Sequence, residues 1–319
     1  MNTGKALKTA AGLSVIVLIG YFYSLEFRQN WASLQNFRLT LDMPFLIISL
    51  LFYLLSYLLE TYVWQVCING HLGRNELNFS KSIAVVNSSG LFKYLPGRIW
   101  TYTAQLLWLK KYGVSKSVIL YVNLICILAS IIVSLYLGLL YLAFYADLVS
   151  TGMIILLALA LILFNIVYAA WNPWLMNKLI AAISRFLKKE IQPLNESKRL
   201  ILFSQFIYLC SWSLMGLGGY FLAEGIGLSI PVSSMLAVLA SMSLSWMVGY
   251  LVVVSPGGLG VREGMMLLML NGVVNTQAAL IFPILSRLMY LISEALLGLA
   301  AFLLGIRHNI FSTKKTSGI

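Results

Sequence analysis

The sequence predicts an all-α polytopic membrane protein. Hydrophobic residues make up 60% of the 319 positions and charged residues only 10%, far below the roughly one-quarter charged fraction of a soluble domain. Several apolar runs reach the roughly 20 residues that a helix needs to cross the hydrocarbon core of a bilayer. We expect each run to be helical, because lipid-exposed backbone must satisfy its own hydrogen bonds. One membrane domain is therefore expected over residues 1–319.

The apolar runs predict about eight transmembrane helices. The first follows Lys5 and Lys8 and has the outline of a signal peptide, but it lacks a clear small-x-small cleavage site and is followed by many more spans. It is therefore interpreted as a retained helix. The predicted spans are 10–25, 43–69, 118–145, 151–172, 200–223, 232–254, 258–273 and 277–306.

The basic residues of the loops predict the orientation. With the N-terminus inside, sixteen lysines and arginines fall in inner loops, whereas the outer loops hold only Arg28 and Arg38. By the positive-inside rule, both termini are expected on the cytoplasmic side of a cytoplasmic membrane. The same asymmetry accounts for the net charge of +12, so no nucleic-acid partner is expected.

Two elements are predicted to be broken. The run 258–273 is expected to cross, because otherwise Arg307, Lys314 and Lys315 would lie outside. Its 16 helical residues would cover only about 24 Å of a core of roughly 30 Å, so the passage from about 255 to 273 should be partly irregular. The segment from about 83 to 108 contains "NSSGLFKYLPGRIW", which is too polar for a lipid-facing span. Because both of its flanks are basic, it is predicted to be re-entrant.

An amphipathic segment lies between two of the predicted spans. From about 174 to 190, apolar residues recur at helical spacing, and the basic residues lie mostly on other faces. This pattern is typical of a helix on the inner leaflet that is attracted to anionic headgroups. An ordinary amphipathic connector would have the same pattern.

Seven charged residues lie in or beside the membrane segments. A central Arg, Lys or Asp costs about 2.5–3.5 kcal/mol on insertion scales, so such residues usually have a partner or a function. Arg287 and Glu294 are two turns apart on one face of the last helix, and Pro283 should kink that helix nearby. The two could face a polar interior or form an internal ion pair that fixes helix packing. The remaining charges are Glu60, which could also cap a local group, and Lys93, Arg98, Arg262 and Glu263.

Both broken elements combine proline, glycine and arginine. Such paired interruptions point to the binding site of a transporter with pseudo-symmetric halves. Proline starts a half-helix well, glycine permits close approach to the backbone, and the freed N–H groups favour an anion. Tight turns with arginines at headgroup level are the alternative. The predicted hinge positions are Pro96, Gly97, Pro256, Gly257, Gly258 and Gly260.

The residues suited to catalysis or metal binding are few and scattered. Asp42 and Asp147 fall in outer loops, and His71 and His308 fall in inner loops. The three cysteines, at 67, 126 and 210, have neither metal-type nor paired spacing. These positions predict no metal, no cofactor and no enzymatic activity.

Three stretches together resemble a known family. "SPGGLGVREG", "SRLMYLISEALLG" and the upstream "FKYLPGRIW" are similar to the lysylphosphatidylglycerol synthase transmembrane-region family. The resemblance implies a polytopic inner-membrane protein that moves an anionic or lipid-linked substrate between leaflets. It implies that Arg262, Glu263 and Arg287 belong to a polar cavity, with Lys93 and Arg98 as positive lining of the first break. The chain is expected to differ from the fused members in lacking their soluble aminoacyl-transfer domain, so lysyl-phosphatidylglycerol synthesis is not expected. Its "YLPGR" element resembles stand-alone members associated with glycosyltransferase pathways, which implies a polyprenyl phosphate or its sugar conjugate as a candidate substrate.

These observations predict a lipid flippase whose arginines hold a phosphate headgroup. Glu263 and Glu294 would keep the empty site near neutral or exchange a proton. One alternative is a non-catalytic partner that recruits a lipid synthase or glycosyltransferase through the amphipathic helix. Another is a membrane enzyme that acts on lipid-linked sugar with Glu263 as base. The predicted substrate-binding residues are Lys93, Arg98, Arg262, Glu263, Arg287 and Glu294.

Overall fold

The computed structural model describes residues 28, 38–94, 100–145, 150–187, 198–252, 258 and 260–311. Its long regular elements are all α-helices, joined in places by short 3₁₀ turns. In chain order they are α1 Met43–Leu72, α2 Phe79–Gly90, α3 Trp100–Leu109, α4 Lys116–Tyr145, α5 Thr151–Leu187, α6 Lys198–Gly225, α7 Met235–Leu251, α8 Val261–Leu270 and α9 Thr276–Arg307.

Six segments are long and apolar enough to cross a membrane, so the predicted all-α polytopic fold is confirmed. Each matches one predicted span, with ends that agree to within about three residues. The predicted span 10–25 lies outside the described residues. The six segments are Met43–Leu72, Lys116–Tyr145, Thr151–Asn172, Lys198–Gly225, Val232–Leu251 and Thr276–Arg307.

The two predicted broken elements are built from short helices. In the first, α2 and α3 pack against each other, and a 3₁₀ turn, Leu91–Tyr94, follows α2 directly. At 12 and 10 residues, each of these helices is too short to cross a core of roughly 30 Å. In the second, α8 has ten residues, or about 15 Å. The re-entrant path and the short crossing stay predictions, and Pro96, Gly97, Arg98, Pro256 and Gly257 lie outside the described residues.

Helix α5 is longer than the sequence predicts. It continues to Leu187 instead of ending near 172, and so includes most of the segment predicted as a separate interfacial helix at 174–190. Pro173 lies within this helix. Proline is tolerated within membrane helices, because neighbouring groups can hydrogen-bond the backbone groups that it leaves without a partner. Within this helix the structure describes the backbone but not the side chains of the apolar residues that define the predicted stripe. The position of this segment on the inner leaflet therefore stays a prediction.

The chain divides into two compact units. Unit I comprises Met1–Ser56, Ser134–Ile154 and Trp212–Ser293. Unit II comprises Tyr57–Val133, Ile155–Ser211 and Glu294–Ile319. The prediction of one membrane domain over the whole chain stays a prediction.

Small residues bring the helices of unit I close together. A Cβ on Gly218 of α6 would lie 2.7 Å from the Tyr53 ring of α1, and one on Gly138 of α4 would lie 2.8 Å from Leu244 of α7. Ser49 of α1 adds a hydrogen bond to the Gly218 carbonyl at 2.7 Å. Close contacts of this kind stabilise membrane helices where lipid supplies no hydrophobic driving force.

Neutral polar side chains connect the helices of unit II. The Gln105 amide of α3 donates to Ser89 of α2 at 3.0 Å, and its carbonyl accepts from Asn123 of α4 at 2.7 Å. Asn165 and Gln205 join α5 to α6 by two amide hydrogen bonds of 2.9 and 2.8 Å. The bonds of Gln105 join the two short helices of the first broken element to each other and to α4.

Candidate functional site

Unit I contains a charged group that we name the arginine cluster: Arg262, Glu263 and Arg287. The first two lie in the first turn of α8, directly after Gly260, whose φ of +80° favours glycine. A carboxylate in the first turn is stabilised by the positive end of the helix dipole. The first turn of α8 therefore fixes the backbone positions of Arg262 and Glu263.

Arg287 reaches this turn from α9. Its Nε lies 3.8 Å from Glu263 Oε1, and the two side chains are only 11% and 14% exposed. At this distance the two groups form an ion pair, but they are too far apart for a hydrogen bond. Pro283, one turn earlier, lines the same space, and α9 continues through it as a helix. The pair is therefore a buried electrostatic contact between two helices.

The space within the arginine cluster is small. Its free volume is about 10 Å³, which is room for about one water molecule. The charged groups share this space with Met242, Ser245, Trp246, Met266, Ser286 and Tyr290. In this conformation the cluster is too small to hold a phosphate.

Two glycines allow the Arg262 side chain to lie where it does. A Cβ on Gly249 of α7 would lie 2.5 Å from Arg262 Cγ, and one on Gly258 would lie 2.9 Å from Arg262 Nε. Gly258 also has a φ of +74°. Gly258 and Gly260 are predicted hinge positions. In the structure both adopt a positive φ, and Gly258 also makes room for the Arg262 side chain.

Unit II contains a larger polar space that we name the lysine cavity. Helix α1 contributes Tyr57, Glu60 and Thr61, whose spacing of three and four residues places them on one face. Asn87 of α2 donates to Thr61 Oγ1 at 3.0 Å. Ser211 of α6 donates to Glu60 Oε1 at 3.2 Å. One face of α1 is thus polar over more than a turn.

Lys93 and Glu294 complete the cavity. Lys93 lies in the 3₁₀ turn after α2, and its Nζ is 2.5 Å from Glu294 Oε1 of α9. The Tyr57 hydroxyl donates to the same carboxylate oxygen at 2.6 Å. The Lys93 side chain is 39% exposed and that of Glu294 is 12% exposed. The carboxylate is therefore held by two donors, one of which is accessible from outside.

The lysine cavity has room for a ligand. Its volume is about 140 Å³, which exceeds the space in the arginine cluster more than tenfold. Val86, Gly90 and Leu91 supply the apolar part of its wall. A phosphate or a group of similar size fits such a space, and the lining can meet it with an ammonium, carboxylates, an amide and hydroxyls.

The structure divides the predicted binding residues between these two places. Arg262, Glu263 and Arg287 come together in unit I, and Lys93 and Glu294 come together in unit II; Arg98 lies outside the described residues. The ion pairs join Arg287 to Glu263 and Glu294 to Lys93, whereas the helix spacing alone suggested a pair of Arg287 with Glu294. Sequence reasoning missed Tyr57, Thr61 and Asn87, although the spacing of Tyr57, Glu60 and Thr61 was a signal for a polar face.

The described residues contain no group of three or more His, Cys, Asp or Glu side chains that could hold a metal ion. The three cysteines are free thiols, two of them buried.

Comparison with known families identifies the chain. Residues 6–298 match the family model described as the lysylphosphatidylglycerol synthase TM region. No individual curated protein matches. Because the match covers nearly the whole sequence, the chain belongs to this family, and it is a multi-pass membrane protein of a lipid-related family.

Proposed function

We propose that this member of the lysylphosphatidylglycerol synthase TM region family moves an anionic lipid between the leaflets of a cytoplasmic membrane. The substrate is a phospholipid, or a polyprenyl phosphate with or without a sugar. Translocation changes no covalent bond, so the protein acts as a transporter and not as an enzyme. Both termini lie on the cytoplasmic side, as the distribution of basic residues indicates.

The lysine cavity is the observation that carries this proposal. Charged residues inside membrane segments are costly, and they commonly mark the pathway of a substrate or ion. Here Lys93 is partly exposed beside about 140 Å³ of space. The lipid phosphate would pair with Lys93 and accept hydrogen bonds from the amide and hydroxyl groups of the lining. The acyl or prenyl chains would stay in the bilayer.

The arginine cluster has a secondary place in this proposal. It is net positive, but its free space is only about 10 Å³. A phosphate could bind there only in a conformation that opens the cluster, since a ligand selects the state that it fits. In the closed conformation the cluster stabilises the helices of unit I.

A second candidate function follows from that closed packing. If the arginine cluster serves only to hold helices together, the protein could be a non-catalytic membrane partner of a lipid synthase or a glycosyltransferase. In that case Lys93 and Arg262 would matter for stability and for partner binding, and no lipid would cross the membrane in the purified system.

The test uses the full-length chain in proteoliposomes. The probe is phosphatidylglycerol with a fluorescent label on one acyl chain, and a membrane-impermeant quencher reports which leaflet holds it. We expect wild-type protein to accelerate translocation and Lys93→Met to reduce the rate at least tenfold. Lys110→Met is the matched control, because Lys110 is exposed and lies outside the lysine cavity. Equal rates for Lys93→Met and wild type would refute the role of Lys93, and rates no higher than in empty vesicles would refute transport of this probe.

A further inference from the structure

We propose that the lysine cavity takes up a proton together with the lipid phosphate, with Glu294 as the proton acceptor. The inference rests on the proposed function and adds to it the coupling ion. A proton from water joins the Glu294 carboxylate, while Lys93 stays an ammonium and pairs with the phosphate. Binding then adds one negative and one positive charge to the cavity, and its net charge does not change.

The geometry sets up a competition for Lys93. Among the described lining residues of the cavity, Lys93 is the only cation. Its ammonium is already in contact with Glu294 Oε1 at 2.5 Å. A phosphate that enters the cavity must bind the same ammonium, so it either displaces Glu294 or shares the charge with it. In both cases two anionic groups lie close together in a space of about 140 Å³.

The size of the repulsion favours protonation. At pH 7, an ordinary glutamate is protonated in roughly one molecule in 500. A second negative charge about 4 Å away, at an effective dielectric constant of about 20, favours the protonated form by roughly a thousandfold. The two factors nearly cancel, so binding an anion beside Glu294 is expected to bring a proton with it at neutral pH.

The neighbours of Glu294 act in both directions. In the empty cavity Lys93 and the Tyr57 hydroxyl stabilise its ionised carboxylate. When the phosphate pairs with Lys93, the contribution of this ammonium is weakened. The titratable and charged groups that line the cavity are Lys93 from the 3₁₀ turn and Tyr57 and Glu60 from α1. Glu60 interacts electrostatically with both Lys93 and Glu294 and accepts a hydrogen bond from Ser211 of α6; α2 contributes the neutral Asn87. When it is ionised, the Glu60 carboxylate repels that of Glu294 and so favours protonation of Glu294 when the anion arrives. Tyr57 can still hydrogen-bond the protonated carboxyl.

The experiment measures protons and lipid binding together on purified full-length protein. The probe is dihexanoyl phosphatidylglycerol, which is soluble and whose phosphodiester does not titrate near neutral pH. In weakly buffered solution with a pH indicator, we expect uptake of about one proton for each lipid bound. Because proton and lipid binding are linked, the Kd of the probe should depend on pH. It should fall about tenfold for each unit of pH decrease, over the range in which the free site is deprotonated and the lipid-bound site is protonated. Binding without proton uptake, or with a Kd independent of pH, would overturn the inference, and so would absence of binding.

A matched pair of variants identifies the acceptor. Glu294→Gln is neutral at every pH, so we expect it to bind the probe without proton uptake and with a flat pH dependence. Glu76→Gln removes a carboxylate that pairs with Arg74 in an exposed contact, and it should take up protons as wild type does. Proton uptake by Glu294→Gln equal to wild type would contradict Glu294 as acceptor. If Glu294→Gln does not fold, Glu60→Gln decides, because Glu60 is the other carboxylate that lines the cavity. Proton uptake equal to wild type in Glu60→Gln supports Glu294 as acceptor, and loss of uptake contradicts it.

The outcomes separate this inference from the proposed function. Translocation of fluorescent phosphatidylglycerol at a rate independent of pH, with no proton uptake on binding, would leave the flippase proposal standing and refute the coupling. Proton-linked binding without translocation would support the coupled site and refute transport of this probe. A parallel titration with inorganic sulfate, which has no acyl chains, distinguishes a lipid headgroup site from a general oxyanion site. Proton uptake with either anion supports the coupling.

Discussion

The arginine cluster and the lysine cavity combine the same kinds of side chain in very different amounts of space. Each has at least one cation and one carboxylate, which lie on different elements of the chain and form an ion pair. In the arginine cluster, Arg287 and Glu263 are both nearly buried around about 10 Å³. In the lysine cavity, Lys93 is 39% exposed beside about 140 Å³.

This difference separates charges that hold a fold from charges that can exchange a partner. A buried pair without free space is costly to break, because the remaining charge has nowhere to find water or another ion. A pair at the edge of a cavity can be broken at low cost, because water or a ligand takes the place of the lost partner. Volume and exposure therefore assign the two groups different roles, although their residue types are alike.

The largest expected effect is the loss of stability in Arg287→Met. Removal of one partner of a buried pair typically costs 3–5 kcal/mol, and we expect about 3 kcal/mol because Arg262 remains in the same cluster to interact with Glu263. Lys93→Met should cost less, about 1 kcal/mol, because the cavity beside Glu294 has room for water to take the place of the ammonium. Unfolding in mixed detergent and sodium dodecyl sulfate micelles measures both.

The double variant Glu263→Met/Arg287→Met is the control for this prediction. It removes one negative and one positive charge, leaves the net charge of the cluster unchanged, and should recover most of the lost free energy of unfolding. If Arg287→Met is as stable as Lys93→Met, the comparison between the two groups breaks down, because the buried pair would then not hold the helices.

A second prediction concerns the close approach of α7 to Arg262. Gly249→Ala would place a Cβ 2.5 Å from Arg262 Cγ, which is the base of the side chain and not its flexible end. We expect a loss of about 1–3 kcal/mol, the usual cost of overpacking. Gly152→Ala is the control, because nothing lies within 4 Å of the Cβ that it adds. A neutral Gly249→Ala would mean that the cluster is looser than its small volume indicates.

The fold was largely predictable from the sequence because span length is a physical constant of the bilayer. Six predicted spans agree with helices of the structure, since each needs about 20 apolar residues whatever it packs against. The exception is α5, which continues through Pro173 to Leu187. The predicted span ended at 172, directly before this proline, but the effect of one proline on a helix depends on its surroundings in three dimensions.

The site was predictable in its charges but not in its pairs. Charges within apolar runs are recognisable because they are costly, which is how Arg262, Arg287 and Glu294 were found. Their partners were not, because helical spacing places Arg287 and Glu294 on one face without specifying which other helix each will meet. Tyr57 and Asn87 were missed for a further reason: neutral polar residues are common in membrane helices and carry little signal by themselves.

A third prediction tests how firmly the lysine cavity holds its carboxylate. Tyr57→Phe removes the hydroxyl that donates to Glu294 at 2.6 Å. Because water can reach this edge of the cavity, we expect a loss of only about 1 kcal/mol, measured as a shift of the thermal melting temperature in detergent. Tyr62→Phe, in which an exposed tyrosine outside the cavity is changed, is the control. A loss as large as that of Arg287→Met would show that water in the cavity does not replace the lost hydroxyl.

The smallest expected effect on stability is that of Gly298→Ala, and it is the sharpest test of the comparison. A Cβ on Gly298 of α9 would lie 2.6 Å from Leu91 Cδ1, a contact nearly as short as that at Gly249. Here the clashing atom is a terminal methyl, and Leu91 is 37% exposed, so its side chain can move into the cavity or out of the protein. We therefore expect a loss below about 1 kcal/mol, together with slower lipid translocation, because Leu91 lines the lysine cavity. Equal losses of stability in Gly298→Ala and Gly249→Ala would mean that the walls of the cavity are packed as rigidly as the arginine cluster, and that free volume does not distinguish the two.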